Sequence, residues 1–134
     1  MKFLATSEFI NCIQHLIKKY PTIQTDICKE LSNLSFEEIF AKKYVLKDSG
    51  NYKILKVRIS NTQQNKGKSA GFRLILFLNK SNEEVCFLYI FSKIGSEGQD
   101  NISPQEIKIF MNILKNERDN DTLQELNQST LSLI

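Results

Sequence analysis

The chain has 134 residues, 41% of them hydrophobic and 25% charged, with two prolines and five glycines, a composition that fits one globular domain and excludes a disordered tract, a linker or a second core. Its net charge of +3 is a sum of −1 over residues 1–41 (four cations, five acids), +9 over 42–80 (ten cations, one acid) and −5 over 81–134 (four cations, nine acids). A middle third this basic points to a polyanionic partner, and the acidic flank argues against general adhesion to a membrane.

Met1–Glu8 turns polar too early for a signal peptide, and no apolar run approaches the ~20 residues of a membrane helix, so the expectation is a soluble, cytoplasmic protein. Lys2–Ala5 reads as a short strand. Ser7–Lys19 has a helical period, with Phe9, Ile10, Ile13, Leu16, Ile17 and Tyr20 on one face and Pro21 as its stop. Thr22–Leu34 repeats the pattern through Ile23, Ile27, Cys28, Leu31 and Leu34, which suggests a helical hairpin. Ser35-Phe36-Glu37-Glu38 has the form of a capping box for a further short helix. Lys47–Asn51 breaks the helical pattern.

From Tyr52 the period becomes two. Over residues 52–60, Leu55, Val57 and Ile59 share one face, and Lys56, Arg58 and Ser60 the other. A basic loop follows, then strands over Phe72–Leu78 and Val85–Lys93, separated by the turn Asn79–Asn82. A polar loop, Gly95–Asn101, leads to Ser103-Pro104-Gln105-Glu106, a second capping box with proline in the first turn, and a helix to about Glu117. The expected fold is α+β: an N-terminal helical hairpin on a twisted antiparallel sheet of about four strands, with a C-terminal helix. Residues 1–117 form the single domain, and 118–134 are a C-terminal extension read as a frayed end.

Cys12, Cys28 and Cys86 have no Cys-x-x-Cys spacing and apolar neighbours, so they read as buried free thiols and not as metal ligands. No Walker loop, Gly-x-Gly-x-x-Gly, His-Glu-x-x-His or carboxylate cluster is present, and neither a metal nor a cofactor is expected. A single histidine excludes a two-histidine acid–base mechanism, and His15 falls off the apolar face of its helix, which reads as a surface position.

Lys56 and Arg58, two apart on one strand face, are separated by about 7 Å. Arg73 enters the next strand, Lys66 and Lys68 lie in the loop between, and Lys93 ends the third strand. In a meander these six cations converge on one face, which suits the phosphates of a bent single strand of nucleic acid; Lys53, on the first of these strands, is counted with Lys66 and Lys68 as RNA-binding. Phe72, Phe77 and Phe91 can stack on bases, although strand spacing favours the core. With these residues, phosphodiester cleavage would use the substrate's own 2′-hydroxyl as nucleophile. The protein then orients that group, takes its proton and stabilises charge on the phosphate. A lysine crowded by cations holds its proton weakly and can serve as base.

The motifs Lys56-Val57-Arg58-Ile59-Ser60, Asn65-Lys66-Gly67-Lys68-Ser69-Ala70-Gly71-Phe72-Arg73-Leu74-Ile75, Ile90-Phe91-Ser92-Lys93 and Asn101-Ile102-Ser103 resemble, in order and spacing, those of the RelE/HigB branch of type II toxin–antitoxin toxins. The family's wording is Lys-Ile-Arg-Leu-Ala, then Lys-Gly-Lys-Ser/Arg-Gly-Gly-x-Arg, Ile-Tyr-x-Lys, and an Asn/Asp-Ile/Leu-Ser helix start. The resemblance implies metal-independent cleavage of mRNA, often on the ribosome, to 2′,3′-cyclic phosphate and 5′-hydroxyl ends. It also implies a cognate antitoxin, of helix-turn-helix type in some pairs, with operator DNA bound only through the toxin–antitoxin complex. By position, all read as catalytic, Lys56 and Arg58 match the family's basic pair on the first meander strand, Arg73 its phosphate-stabilising arginine and Lys93 the basic residue ending the last strand, while Lys66 and Lys68 match its loop lysines. Phe91 stands where the family has tyrosine, Ala70 where it has glycine, and no C-terminal tyrosine corresponds to the general base of some relatives. The proton acceptor is thereby left open, with Lys56 and Lys68 as candidates. Two other functions stay open here: a ParE-like toxin acting on DNA gyrase, which the basic middle segment disfavours, and a non-catalytic RNA-binding module.

Overall fold

The computed structural model describes residues 1–93 and 101–132. Its elements are β1 (Lys2–Ala5), α1 (Ser7–Lys19), α2 (Ile23–Leu31), α3 (Phe36–Phe40), β2 (Val45–Asp48), β3 (Tyr52–Ile59), a 3-10 turn (Thr62–Gln64), β4 (Phe72–Asn79), β5 (Glu84–Ser92), α4 (Pro104–Asp119) and β6 (Gln124–Leu126). The fold is α+β. Both capping boxes form as read: the hydroxyl of Ser35 accepts from the Glu38 amide at 3.1 Å and that of Ser103 from the Glu106 amide at 3.1 Å, while each glutamate accepts from its serine's amide. Most of the polar loop Gly95–Asn101 lies outside the described residues.

Among the described residues the sheet has six strands in the order β2-β3-β4-β5-β1-β6, not about four. The meander β3-β4-β5 is antiparallel, but β1 adds to it in parallel with β5. Of the edge strands, β2 pairs with β3 across a turn at Gly50 (φ +82°), and β6 pairs antiparallel with β1. Both edges are too short, at four and three residues, for a period of two to stand out in the sequence. The tail expected to fray thus supplies an edge strand, and Leu126 and Leu131 are buried in the core. Burying those two side chains offsets the entropy of ordering the segment.

Strand alternation divides the apolar side chains between two faces. On one, Leu55, Val57, Ile59, Leu74, Leu76, Leu78, Val85, Phe87 and Ile90 pack against α1, α2 and α3 through residues such as Phe9, Ile10, Ile23, Ile27, Leu31 and Ile39. Of these helices, α1 docks mainly on β5, and α2 touches α1, β3 and the 3-10 turn. On the other face Ile54, Ile75, Phe77, Cys86, Leu88 and Phe91 pack against Phe110 and Leu114 of α4. Glu117 links the two layers, its carboxylate accepting from the amide and hydroxyl of Ser7 at 2.9–3.0 Å. Ile17, expected on the buried face of α1, is exposed at an apolar groove that also involves Phe9, Ile10, Ile13 and Leu131.

Candidate nucleic-acid interface

The loop joining β3 to β4 is built by short-range bonds. Asn61 and Lys66 exchange both backbone hydrogen bonds at 2.8 Å, and Asn65 turns the chain with a φ of +53°. Buried Asp26 of α2 ties the loop to the helical layer: it accepts from the Thr62 amide at 3.2 Å and the Thr62 hydroxyl at 2.8 Å. Gly71 closes the loop where a Cβ would stand 2.0 Å from the carbonyl oxygen of Ile59, so only glycine fits without displacing backbone. Gly67 has open space around it.

Register then sets the cations. Arg58 lies directly opposite Arg73, and Arg73 opposite Phe91. Like charges opposed across an antiparallel pair are unfavourable, and the two arginines diverge. Arg73 is only 4% exposed, and its guanidinium runs under the loop, donating to the carbonyls of Lys68 at 2.8 Å, Ser69 at 2.8 Å and Phe72 at 3.1 Å. Burial, with Arg58 beside it, lowers its pKa from the ordinary 12.5. Arg58 instead lies over the ring of Tyr44, 4.4 Å from its centroid, a cation–π contact. Its buried Nε finds no hydrogen-bond partner among the described residues.

Lys56 is on the same face, its Nζ donating to Asn101 Oδ1 at 3.3 Å. Burial, then Arg73, Lys93 and Arg58, lowers its pKa from 10.5. Lys93 follows β5, with its amide bonded to the Gly71 carbonyl at 3.0 Å. Lys56, Arg58, Arg73 and Lys93 are therefore brought together at the end of the sheet beyond the cover of α4. Lys68 reaches the same region across the loop, where it meets Glu30 of α2 at 2.9 Å. A cleft of about 260 Å³ runs between Glu30, Lys42, Lys43, Tyr44, Lys56, Arg58 and Lys68.

The remaining sequence choices fall elsewhere. Lys53 is on the opposite face of β3, donating to the Phe40 carbonyl at 3.0 Å with its ammonium 4.2 Å from that ring's centroid, and it does not join the cluster. Its odd place in the strand sets it with Leu55 and Val57. Lys66 is half-buried in the backbone bridge with Asn61. Phe72, Phe77 and Phe91 are core residues and present no ring to a base. Cys86 is buried, and burial pushes its thiol up to about 12; Cys12 and Cys28 are half-buried. Tyr44, Lys42, Lys43 and Glu30 also line the candidate cleft, and sequence reasoning did not single them out. The run Lys42-Lys43-Tyr44 ahead of an edge strand was the one available signal; for Glu30, on a helix, there was none. Among the described residues no cluster of three or more His, Cys, Asp or Glu could hold a metal ion, and no helix is long and apolar enough to cross a membrane.

The fold is α+β, with a basic cleft at one end of its sheet. The family model described as the RelE toxin of the RelE/RelB toxin–antitoxin system matches residues 29–132, and the chain belongs to this family of toxins. RelE toxins pair with an antitoxin. No curated protein and no solved structure gives a significant match.

Proposed function

We propose that this RelE-family toxin is a metal-independent endoribonuclease that cleaves mRNA on the ribosome and so arrests translation. The observation that carries the reading is the grouping of Lys56, Arg58, Arg73 and Lys93 at one end of the sheet, with a buried Arg58 Nε that finds no partner among the described residues. Arg58 is the ligand for the scissile phosphate and the charge it gains, because an unpaired buried donor is strongly favoured to find an anion. Arg73 already spends three hydrogen bonds on the loop. It acts through its field and by holding the loop that carries Lys66 and Lys68 against the phosphates on either side.

Lys56 is the proton acceptor. Its lowered pKa raises the neutral fraction near physiological pH, and this amine removes the proton of the 2′-hydroxyl. The 2′-oxygen attacks phosphorus, the bond to the 5′-oxygen breaks, and the departing oxygen takes a proton from water. The products are a 2′,3′-cyclic phosphate and a 5′-hydroxyl. Lys93 holds an adjacent phosphate.

The test is to induce the chain and map new RNA 5′ ends, with Arg58→Gln and Lys56→Arg beside the parent. Growth arrest with 5′-hydroxyl ends inside reading frames is expected. Each variant should lower cleavage by about 10²-fold or more, the usual scale for a lost charge-stabilising or acid–base group. Undiminished toxicity in both variants, or inhibited supercoiling with intact mRNA, would overturn the reading.

A further inference from the structure

The cleft contains a carboxylate that this mechanism leaves unused. Glu30 Oε1 lies 2.9 Å from Lys42 Nζ, and Oε2 lies 2.9 Å from Lys68 Nζ. The two lysines come from separate parts of the chain, one just after α3 and the other in the β3–β4 loop, and they meet only at this group. The Glu30 side chain is 15% exposed, and that of Lys68 is 56% exposed. Burial raises the carboxyl's pKa, but hydrogen bonds from Lys68 and Lys42 outweigh it and hold the group ionised.

One anion with two acceptor oxygens, each met by an ammonium, is the arrangement a phosphodiester offers through its two non-bridging oxygens. Around it, Lys42, Lys43, Lys56, Arg58 and Lys68 set five cations against the single carboxylate. The cleft stays strongly positive with Glu30 in place. The Lys68 ammonium is exposed and its ion pair weak, whereas the Lys42 side chain is 25% exposed, so a backbone phosphate supported by the remaining cations competes first for Lys68 and through it reaches Lys42.

We propose that Lys42 and Lys68 form a phosphate subsite of the cleft, that Glu30 is its internal occupant in the free protein, and that an RNA backbone phosphate displaces Glu30 on binding. The proposal rests on the nuclease reading and extends it to Lys42 and Glu30, which have no part in the cleavage step. In the free toxin Glu30 relieves repulsion between the two lysines and holds the loop. On binding it sets a threshold that only a polyanion passes.

The experiment measures affinity against salt concentration for the full chain and an all-deoxy single strand, which lacks the attacking hydroxyl and is not cleaved. On single strands each neutralised phosphate contributes about 0.7 to the slope of log K against log salt. Glu30→Gln, which keeps the side chain's shape, should bind about fivefold more tightly with the slope unchanged. The double variant Lys42→Met/Lys68→Met should bind more weakly, with a slope shallower by about 0.7. An unchanged slope in the double variant, weaker binding by Glu30→Gln, or no binding by the parent at low salt would each overturn the subsite. Cleavage of ribosome-bound mRNA is read in parallel. Intact cleavage without these effects removes the subsite alone, whereas the effects without cleavage remove the nuclease reading and leave the subsite standing.

Discussion

Leu55 and Lys56 are neighbours in the chain and lie on opposite faces of β3, and their surroundings differ as much as any two on the sheet. Leu55 is in a layer sealed by α1, α2 and α3, where nearly every contact is apolar. Lys56 is on the face that α4 covers only in part, beside Arg58, Arg73 and Lys93. The helix-sealed face is apolar along its whole length and supplies the larger share of the burial that drives folding. The other joins an apolar core under α4 to an end where like charges repel, and that end is tolerable because both cores are well packed.

The comparison can be broken most severely from the covered side. Leu55→Ala should cost about 2–5 kcal/mol through lost burial and the cavity left behind, measured as a fall in the urea midpoint. Next in size is the hinge between strand and basic loop. Gly71→Ala sets a Cβ against the Ile59 carbonyl and should cost about 1–3 kcal/mol, with faster proteolysis within residues 61–71 as the specific sign that the loop has moved. The smallest effect on stability is expected at the cationic side: Lys56→Met should stay within about 0.5 kcal/mol of the parent while cleavage is lost.

The same residue sharpens the contrast through pH. The folded state lowers the pKa of Lys56 below 10.5, so between the lowered value and 10.5 the unfolded chain binds more protons. The Lys56 contribution to stability therefore rises with pH across that window, and its unfavourable part is fully present below the folded pKa. Melting temperature followed on the alkaline side should show this rise in the parent and a smaller one in Lys56→Met. Parallel pH profiles would remove Lys56 from the cluster.

Much of this was legible from spacing. The alternation over Tyr52–Ile59, the long apolar runs of β4 and β5 and both capping boxes are local patterns, and each formed where its period placed it. The same alternation set Lys56 and Arg58 on one face, and it also argued against grouping Lys53 with them. The edge strands β2 and β6 escaped notice because three or four residues show no period, and they exist only through pairing with β3 and β1. Arg73 was legible as a site residue, but its use as the loop's internal clamp was not, since that depends on where the carbonyls of Lys68 and Ser69 come to rest.

By itself the sequence determined the fold class, the basic middle third and the strand face that carries its central pair, because alternation and charge partition are properties of neighbours in the chain. Only the tertiary structure decided which cations meet. It opposed Arg58 to Arg73 through strand register, brought Tyr44 beneath Arg58, and joined Lys42 and Lys68 on Glu30. Those encounters join residues from separate elements, and packing alone selects them from the many pairings that the same composition would allow.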